Sequence, residues 1–175
     1  MAMFGKTLGN GYAITAVVGK QEIMDAAQST FISSTFWTER IGPAAALKTL
    51  EIMEKTRSWE LISDIGIKVS NKWEALANKY DLNLDIRGIK ALPTFTFMHD
   101  DHLKFKTYLT QEMLKRGFLA NTSFYACIEH SDDILESYFE NLEPIFFEIK
   151  KCMDGKDIDK LLEGPISHSG FERLN

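Results

Sequence analysis

The chain has 175 residues, the size of one ordinary domain of about 100–200 residues. Apolar residues make up 45% and charged residues 26%, which excludes a disordered chain of low hydrophobicity and high charge. Twenty Lys and Arg against 25 Asp and Glu leave a net charge of −5, so no basic footprint marks the chain for nucleic acid or anionic lipid. No apolar run reaches the roughly 18 residues of a membrane span. Cys127 and Cys152 lack a CxxC spacing, and no signal peptide precedes them, which predicts reduced thiols in a soluble, cytoplasmic protein whose partners are small molecules or proteins.

The chain opens on a Lys and a Gly-rich loop over residues 4–11, followed by a short apolar run that predicts a strand over 12–18. Helical spacing then covers 20–27, and the Ser, Thr and Phe of 31–36 have strand composition. A helix is predicted over 42–55, with Pro43 at its first position and Leu47, Leu50, Ile52 and Met53 as its apolar face. The next helix, 58–80, carries Leu61, Ile62, Ile65, Val69, Trp73, Leu76 and Ala77 at spacings of three and four. Gly66 weakens it locally.

Alternation over 82–89 and 92–98, split by Gly88 and Pro93, predicts a hairpin or small sheet. A helix over 103–116 stops at Gly117, with a short strand at 118–120. Ser131 followed by Asp132 and Asp133 marks a helix start, and Ile134, Tyr138, Leu142, Ile145 and Ile149 share a face that continues through Pro144, which predicts one kinked helix. The residues after Gly155 offer one weak turn and no core of their own. The order predicts an α/β beginning followed by an α+β unit, with residues 1–60, 61–155 and a tail of 156–175 as its divisions.

Gly5-Lys6-Thr7 matches the end of a phosphate-binding loop, GxxxxGK[ST], but the first glycine of that motif has no counterpart and a strand follows in place of a helix. A lysine in a Gly-rich loop at the mouth of a strand also suits Schiff-base chemistry, because burial shifts a lysine pKa readily and Phe4 and Leu8 could wall it. On the local pattern alone a solvated loop lysine is the plain alternative. His99, Asp100, Asp101 and His102 are adjacent and cannot all face one ion, so they predict a polar turn with Asp100 or Asp101 capping the next helix, and no metal site.

The run MAMFGKTLGNGYAITAVVGKQEIMD resembles the cofactor-lysine segment of the class III pyridoxal-phosphate aminotransferases, and within them is most similar to the glutamate-1-semialdehyde 2,1-aminomutase group. SSTFWTERIGPAAALKTLEIME resembles that family's HTFxGNPLAxAAGLATLE segment, and LKRGFLANTSFYACIEHSDDILE its RGVYLAPSxFExxFxSxAHTEEDID segment. The three motifs stand in the family's order from Met3 to about Lys151. The resemblance implies the C-terminal portion of a fold-type I transferase, with part of the large cofactor-binding domain and the small C-terminal domain.

It also implies pyridoxal 5'-phosphate as cofactor, Lys6 as the lysine that forms its Schiff base and shuttles the proton, and amino-group transfer between small-molecule donor and acceptor. Thr35 falls on the hydroxyl that binds the cofactor phosphate across a homodimer interface, with Ser34 the weaker candidate for that role. Family members are longer, and their N-terminal portion carries the phosphate loop, the stacking aromatic and the aspartate that pairs with the ring nitrogen. The expectation is therefore that this chain by itself is incomplete and inactive, with apolar surface left exposed. The family's Gly-Asn-Pro is replaced by Glu39-Arg40-Ile41-Gly42-Pro43, with Trp37 and Arg40 as candidate substrate-facing residues and Phe124 and Tyr125 near the expected substrate entrance. The other reading is a non-catalytic interaction or assembly module derived from such an enzyme's C-terminal domain.

Overall fold

The computed structural model describes residues 1–33, 35, 37–168 and 170, and the chain divides into two units, Met1–Ser58 and Trp59–Asn175. The first unit opens with β1 (Ala2–Phe4) paired antiparallel to β2 (Ala16–Val18), Met3 opposite Val17. The strand predicted from residue 12 thus starts at Ala16, because the Tyr12 amide is taken by the Gly9 carbonyl at 3.1 Å in a turn. The helix predicted over 20–27 resolves into α1 (Gln21–Met24) and a 3₁₀ turn, Asp25–Ser29.

No strand occurs among the described residues of 31–36, and Phe31 is 95% exposed. β-rich composition makes a strand only where a neighbouring strand pairs with it. α2 (Ile41–Thr56) starts two residues ahead of Pro43, which sits in the first turn, where its missing N–H leaves no intrahelical bond unmade. The face predicted as core is not buried: Leu47 is 71% and Leu50 50% exposed, and α2 buries only Gly42 and Ala46.

The second unit contains α3 (Ser58–Lys79), the hairpin β3 (Leu84–Ile89) and β4 (Leu92–Phe97), α4 (His102–Lys115) and α5 (Asp132–Met153). The hairpin register places Ile89 opposite Leu92. Its alternation buries Phe95 and Phe97 while Thr94 and Thr96 stay half-buried, as period-two side chains must. Phe95 meets Trp73 edge-on at 4.7 Å and Phe97 at 5.4 Å, and the Trp73 indole N–H donates to the Tyr138 hydroxyl at 3.1 Å, so the polar tips of this core are paired.

The strand predicted at 118–120 is displaced. Gly117, at φ +86°, and Phe118 close α4 by donating to Leu114 and Met113 carbonyls at 3.0 and 2.9 Å, which removes the Phe118 amide from any ladder. The pairing falls instead on residues 122–126: Phe95 donates to Thr122, Phe124 to Pro93 and Ala126 to Ala91. α5 begins at a Ser131 cap whose hydroxyl accepts from the Ile134 amide, and it runs through Pro144 as one element. Leu135 takes the core position predicted for Ile134, which is exposed. After α5, the turn Ile158–Lys160 buries Ile158 in the same core, so residues 156–168 are not without core contacts. Among the described residues no helix is long and apolar enough to cross a membrane.

Candidate active site

Lys6 heads the 3₁₀ turn Lys6–Leu8 directly after β1. Its φ is +47°, and Asn10 and Gly11 follow at +45° and +105°, so the loop is built from left-handed residues. That conformation costs a lysine about 1 kcal/mol and persists where surrounding structure enforces it. The loop is enforced by bonds from Leu8 to Gly5 at 3.1 Å and from Asn10 to Lys6 at 3.2 Å. Gly9 is needed for space: a Cβ there would lie 2.0 Å from the Tyr12 carbonyl oxygen and 2.8 Å from Ile14 Cγ2. The start of α2 approaches as closely, since a Cβ on Gly42 would come 2.8 Å from the Ala13 carbonyl oxygen.

Beside this loop lies an open depression of about 1160 Å³, within the first unit. Its apolar wall is Tyr12, Ile14, Ile32 and Trp37, in place of the predicted Phe4 and Leu8, which do not line it among the described residues. Lys6, Thr7 and Asn10 supply polar groups. Glu39 is the acid of the lining, and its carboxylate is occupied at the head of α2, accepting from the Ile41 amide at 2.5 Å and the Gly42 amide at 3.2 Å. This cap, unforeseen from the sequence, replaces the side-chain cap that Arg40 does not provide. Its signal was present as an acceptor just ahead of the helix. Lys6 is exposed and makes no ion pair among the described residues.

A flat aromatic aldehyde fits this lining, with apolar faces from Tyr12, Ile14 and Trp37 and an amine to meet its carbonyl. A phosphate dianion is less well served: Lys6 is the only cation among the described lining residues, and Thr7, Asn10 and Thr15 are neutral donors. Thr35 lies in an exposed turn and does not join Lys6 in the depression, whereas Trp37 does. Ser34 lies outside the described residues. Arg40 is the N-cap residue of α2 and is not among the lining.

In the second unit Tyr125 is exposed, while Phe124 packs against His130 at 4.8 Å and Tyr138 at 5.9 Å. His130 accepts the Cys127 amide at Nδ1, 3.0 Å, and burial lowers its pKa below the ordinary histidine value. The cap expected at α4 differs in detail. Asp101 occupies the N-cap position without a side-chain cap bond, its carboxylate pairing with Lys104 at 3.2 Å and its amide donating to His99 Nδ1 at 3.0 Å. No group of three or more metal-binding side chains occurs among the described residues.

The class-III aminotransferase family profile matches residues 1–128. The 3-aminobutyryl-CoA aminotransferase of Cloacimonas acidaminovorans (strain Evry) is 33% identical over 159 residues, 87% of this chain and 38% of that protein. The glutamate-1-semialdehyde 2,1-aminomutase of Hyperthermus butylicus (strain DSM 5456 / JCM 9403 / PLM1-5) is 24% identical over 163 residues, 83% of this chain and 38% of that protein. Among solved structures, the PLP internal aldimine form of FumI from Sphingopyxis sp. MTA144 superposes with a TM-score of 0.78 at 24% identity, covering 91% of this chain and 39% of FumI. The fold is therefore that of a portion of these transferases, and the chain spans about two fifths of the length of the relatives it matches.

Proposed function

The chain belongs to the class-III aminotransferase family, and from that premise we propose that it carries the cofactor lysine and the C-terminal domain of a pyridoxal-phosphate-dependent enzyme of amino-group transfer. The observation that carries this reading is Lys6 in a left-handed conformation at the edge of a depression with an apolar wall, without an acidic partner among the described residues. When bound, the cofactor supplies a carbonyl carbon and an electron-withdrawing ring. Lys6 Nζ would supply the nucleophile toward that carbonyl and the base that moves a proton at the substrate carbon. Tyr12 and Trp37 offer aromatic faces against which the cofactor ring would lie. Thr35 donates its hydroxyl to the cofactor phosphate of a partner subunit in a homodimer, a role supported by its exposure and by its absence from the Lys6 depression.

Substrates are a small-molecule amino donor and acceptor. Transfer between two molecules is the primary reading, supported by the aminotransferase at 33% identity; return of the amino group to the same skeleton, as in an aminomutase, is the finer alternative supported by the relative at 24%. Cys127 and Cys152, both free thiols, fit a cytoplasmic setting. With one cation in the described lining, the depression lacks a charge partner for the phosphate once Lys6 is bonded, so by itself the 175-residue chain binds the cofactor weakly and does not turn over.

Borohydride reduction of the full chain with added pyridoxal phosphate, followed by peptide mass mapping, tests the assignment. Label concentrates on Lys6 above every other lysine and is lost in Lys6→Ala; uniform labelling of surface lysines refutes it. A second reading, a non-catalytic interaction or assembly module, is favoured by a core confined to residues 69–158, and it predicts that uniform labelling.

A further inference from the structure

In the second unit a cavity of about 330 Å³ opens along β4, separate from the Lys6 depression in its lining. Three segments bring chemistry to it. Thr94 and Thr96 alternate with the core residues Phe95 and Phe97, so their hydroxyls stand on the opposite face of the strand. His102 and Lys106 are four residues apart on α4 and share one helix face. His168 arrives from the segment after the last turn, where its neighbour Ser167 is held to α4 by a hydrogen bond from its backbone amide to Thr107 Oγ1 at 2.9 Å.

The polar groups divide into two sets. Thr94 Oγ1 donates to the Thr122 carbonyl at 3.0 Å and accepts from Ser123 Oγ at 3.2 Å, so these hydroxyls are already engaged and rigid. The Thr96 hydroxyl, the His102 and His168 rings and the Lys106 ammonium have no hydrogen-bond or ion-pair partner among the described residues. The other lysines of α4 are paired, Lys104 with Asp101 and Asp159 and Lys115 with Glu112 and Glu163. No Asp or Glu lines the cavity among the described residues: α4 contributes His102 and Lys106, the last segment His168, and β4 and residues 122–123 only hydroxyls, carbonyls and apolar groups.

A half-buried ammonium, a half-buried and an exposed imidazole and a free hydroxyl around a small polar cavity, with no acidic side chain among its described lining residues, are the donor set for an oxyanion, and their number suits a dianion better than a carboxylate. We infer that this cavity binds a phosphate group, free or as the ester of a small molecule, with Lys106 as the charge partner and Thr96 as a hydroxyl donor. The site is independent of Lys6 and of the cofactor chemistry proposed for it.

The test is an NMR titration of the full ¹⁵N-labelled chain at constant ionic strength with inorganic phosphate, then O-phosphoethanolamine, then acetate. Saturable shifts are expected at the amides of Thr96, Lys106 and Ser123, with acetate at least about tenfold weaker, and a preference for phosphoethanolamine identifies an ester as the ligand. Lys106→Met weakens phosphate binding about tenfold, in keeping with the loss of a charge-assisted bond, with Thr96→Val as the second variant should the first disturb the Trp73 indole resonance. Lys6→Ala and Lys68→Met leave it unchanged. Absence of saturation at about 50 mM phosphate, an equal response to acetate, or full binding by both cavity variants overturns the inference.

Discussion

Gly66 sits in the middle of α3, where glycine weakens a helix, yet a Cβ at this position would lie 1.7 Å from the Lys90 carbonyl oxygen in the hairpin turn. The obstructing atom is backbone, so neither a rotamer change nor a flexible side chain can relieve it. Gly66→Ala therefore trades a helix-propensity gain of about 1 kcal/mol for overpacking of about 3 kcal/mol, and the chain loses about 2 kcal/mol of stability. Urea denaturation should show this as a lowered midpoint at unchanged slope; an unchanged or raised midpoint would mean that α3 and the hairpin do not approach this closely. Local sequence could not reveal the role, because Lys90 is distant along the chain and only the folded register of β3 and β4 brings its carbonyl to α3. Lys6 stands differently. Its flanking Gly5 and Thr7 made the residue conspicuous, while its left-handed backbone depends on bonds from Asn10 and on the crowding at Gly9, which no composition records.

At the scale of elements, α4 shows how charges pair along the last turn of one helix. Burial alone would raise the pKa of Glu112, but bonds from Lys115 at 2.7 Å, Gln111 at 3.1 Å and Arg116 at 3.0 Å outweigh it and bring the carboxyl below its ordinary value. Glu148 on α5 is lowered by Lys156 and Lys151 in the same manner. A depressed carboxyl pKa contributes stability that is complete above the ordinary value near 4.5 and is lost as pH falls below it toward the folded-state pKa. Thermal melts should thus hold steady from pH 7 to about 5 and fall steeply below about 4.5, and Glu112→Gln should cost about 1 kcal/mol at pH 7 while flattening the acid limb. An acid limb identical in the variant would remove Glu112 from the account. Of the elements legible in the sequence, α3, α4, α5 and the hairpin turn their apolar residues to a core within their own unit, as Val69, Trp73, Phe95, Leu109 and Leu142 do, whereas α2 was legible from its spacing and propensity although its apolar face is exposed. β1 escaped notice because three residues carry no period, and 31–36 misled because Phe31 and Ile32 have strand composition but no pairing partner among the described residues.

For the molecule as a whole, the distribution of apolar burial separates the two units. Every member of the main hydrophobic cluster lies between Val69 and Ile158, whereas Phe4, Phe31, Trp37 and Leu47 of the first unit are exposed. Burial at roughly 25 cal/mol per Å² is what offsets chain entropy, so the second unit has the means to fold by itself and the first does not. A fragment of residues 58–175 should unfold cooperatively with a stability of about 5–15 kcal/mol, keep the near-ultraviolet signal of the Trp73 and Phe95 environment, and melt within a few degrees of the main transition of the full chain. A fragment of residues 1–57 should show little cooperative unfolding, and the full chain should bind an apolar dye that the 58–175 fragment binds far less. Loss of cooperative unfolding in residues 58–175, or equal dye binding by the fragment and the full chain, would place essential core contacts in the first unit. The same asymmetry explains why Leu47 and Leu50 look like core residues in the sequence and are bare here. Their spacing records a helix face built to be covered, and the second unit's core is complete without them.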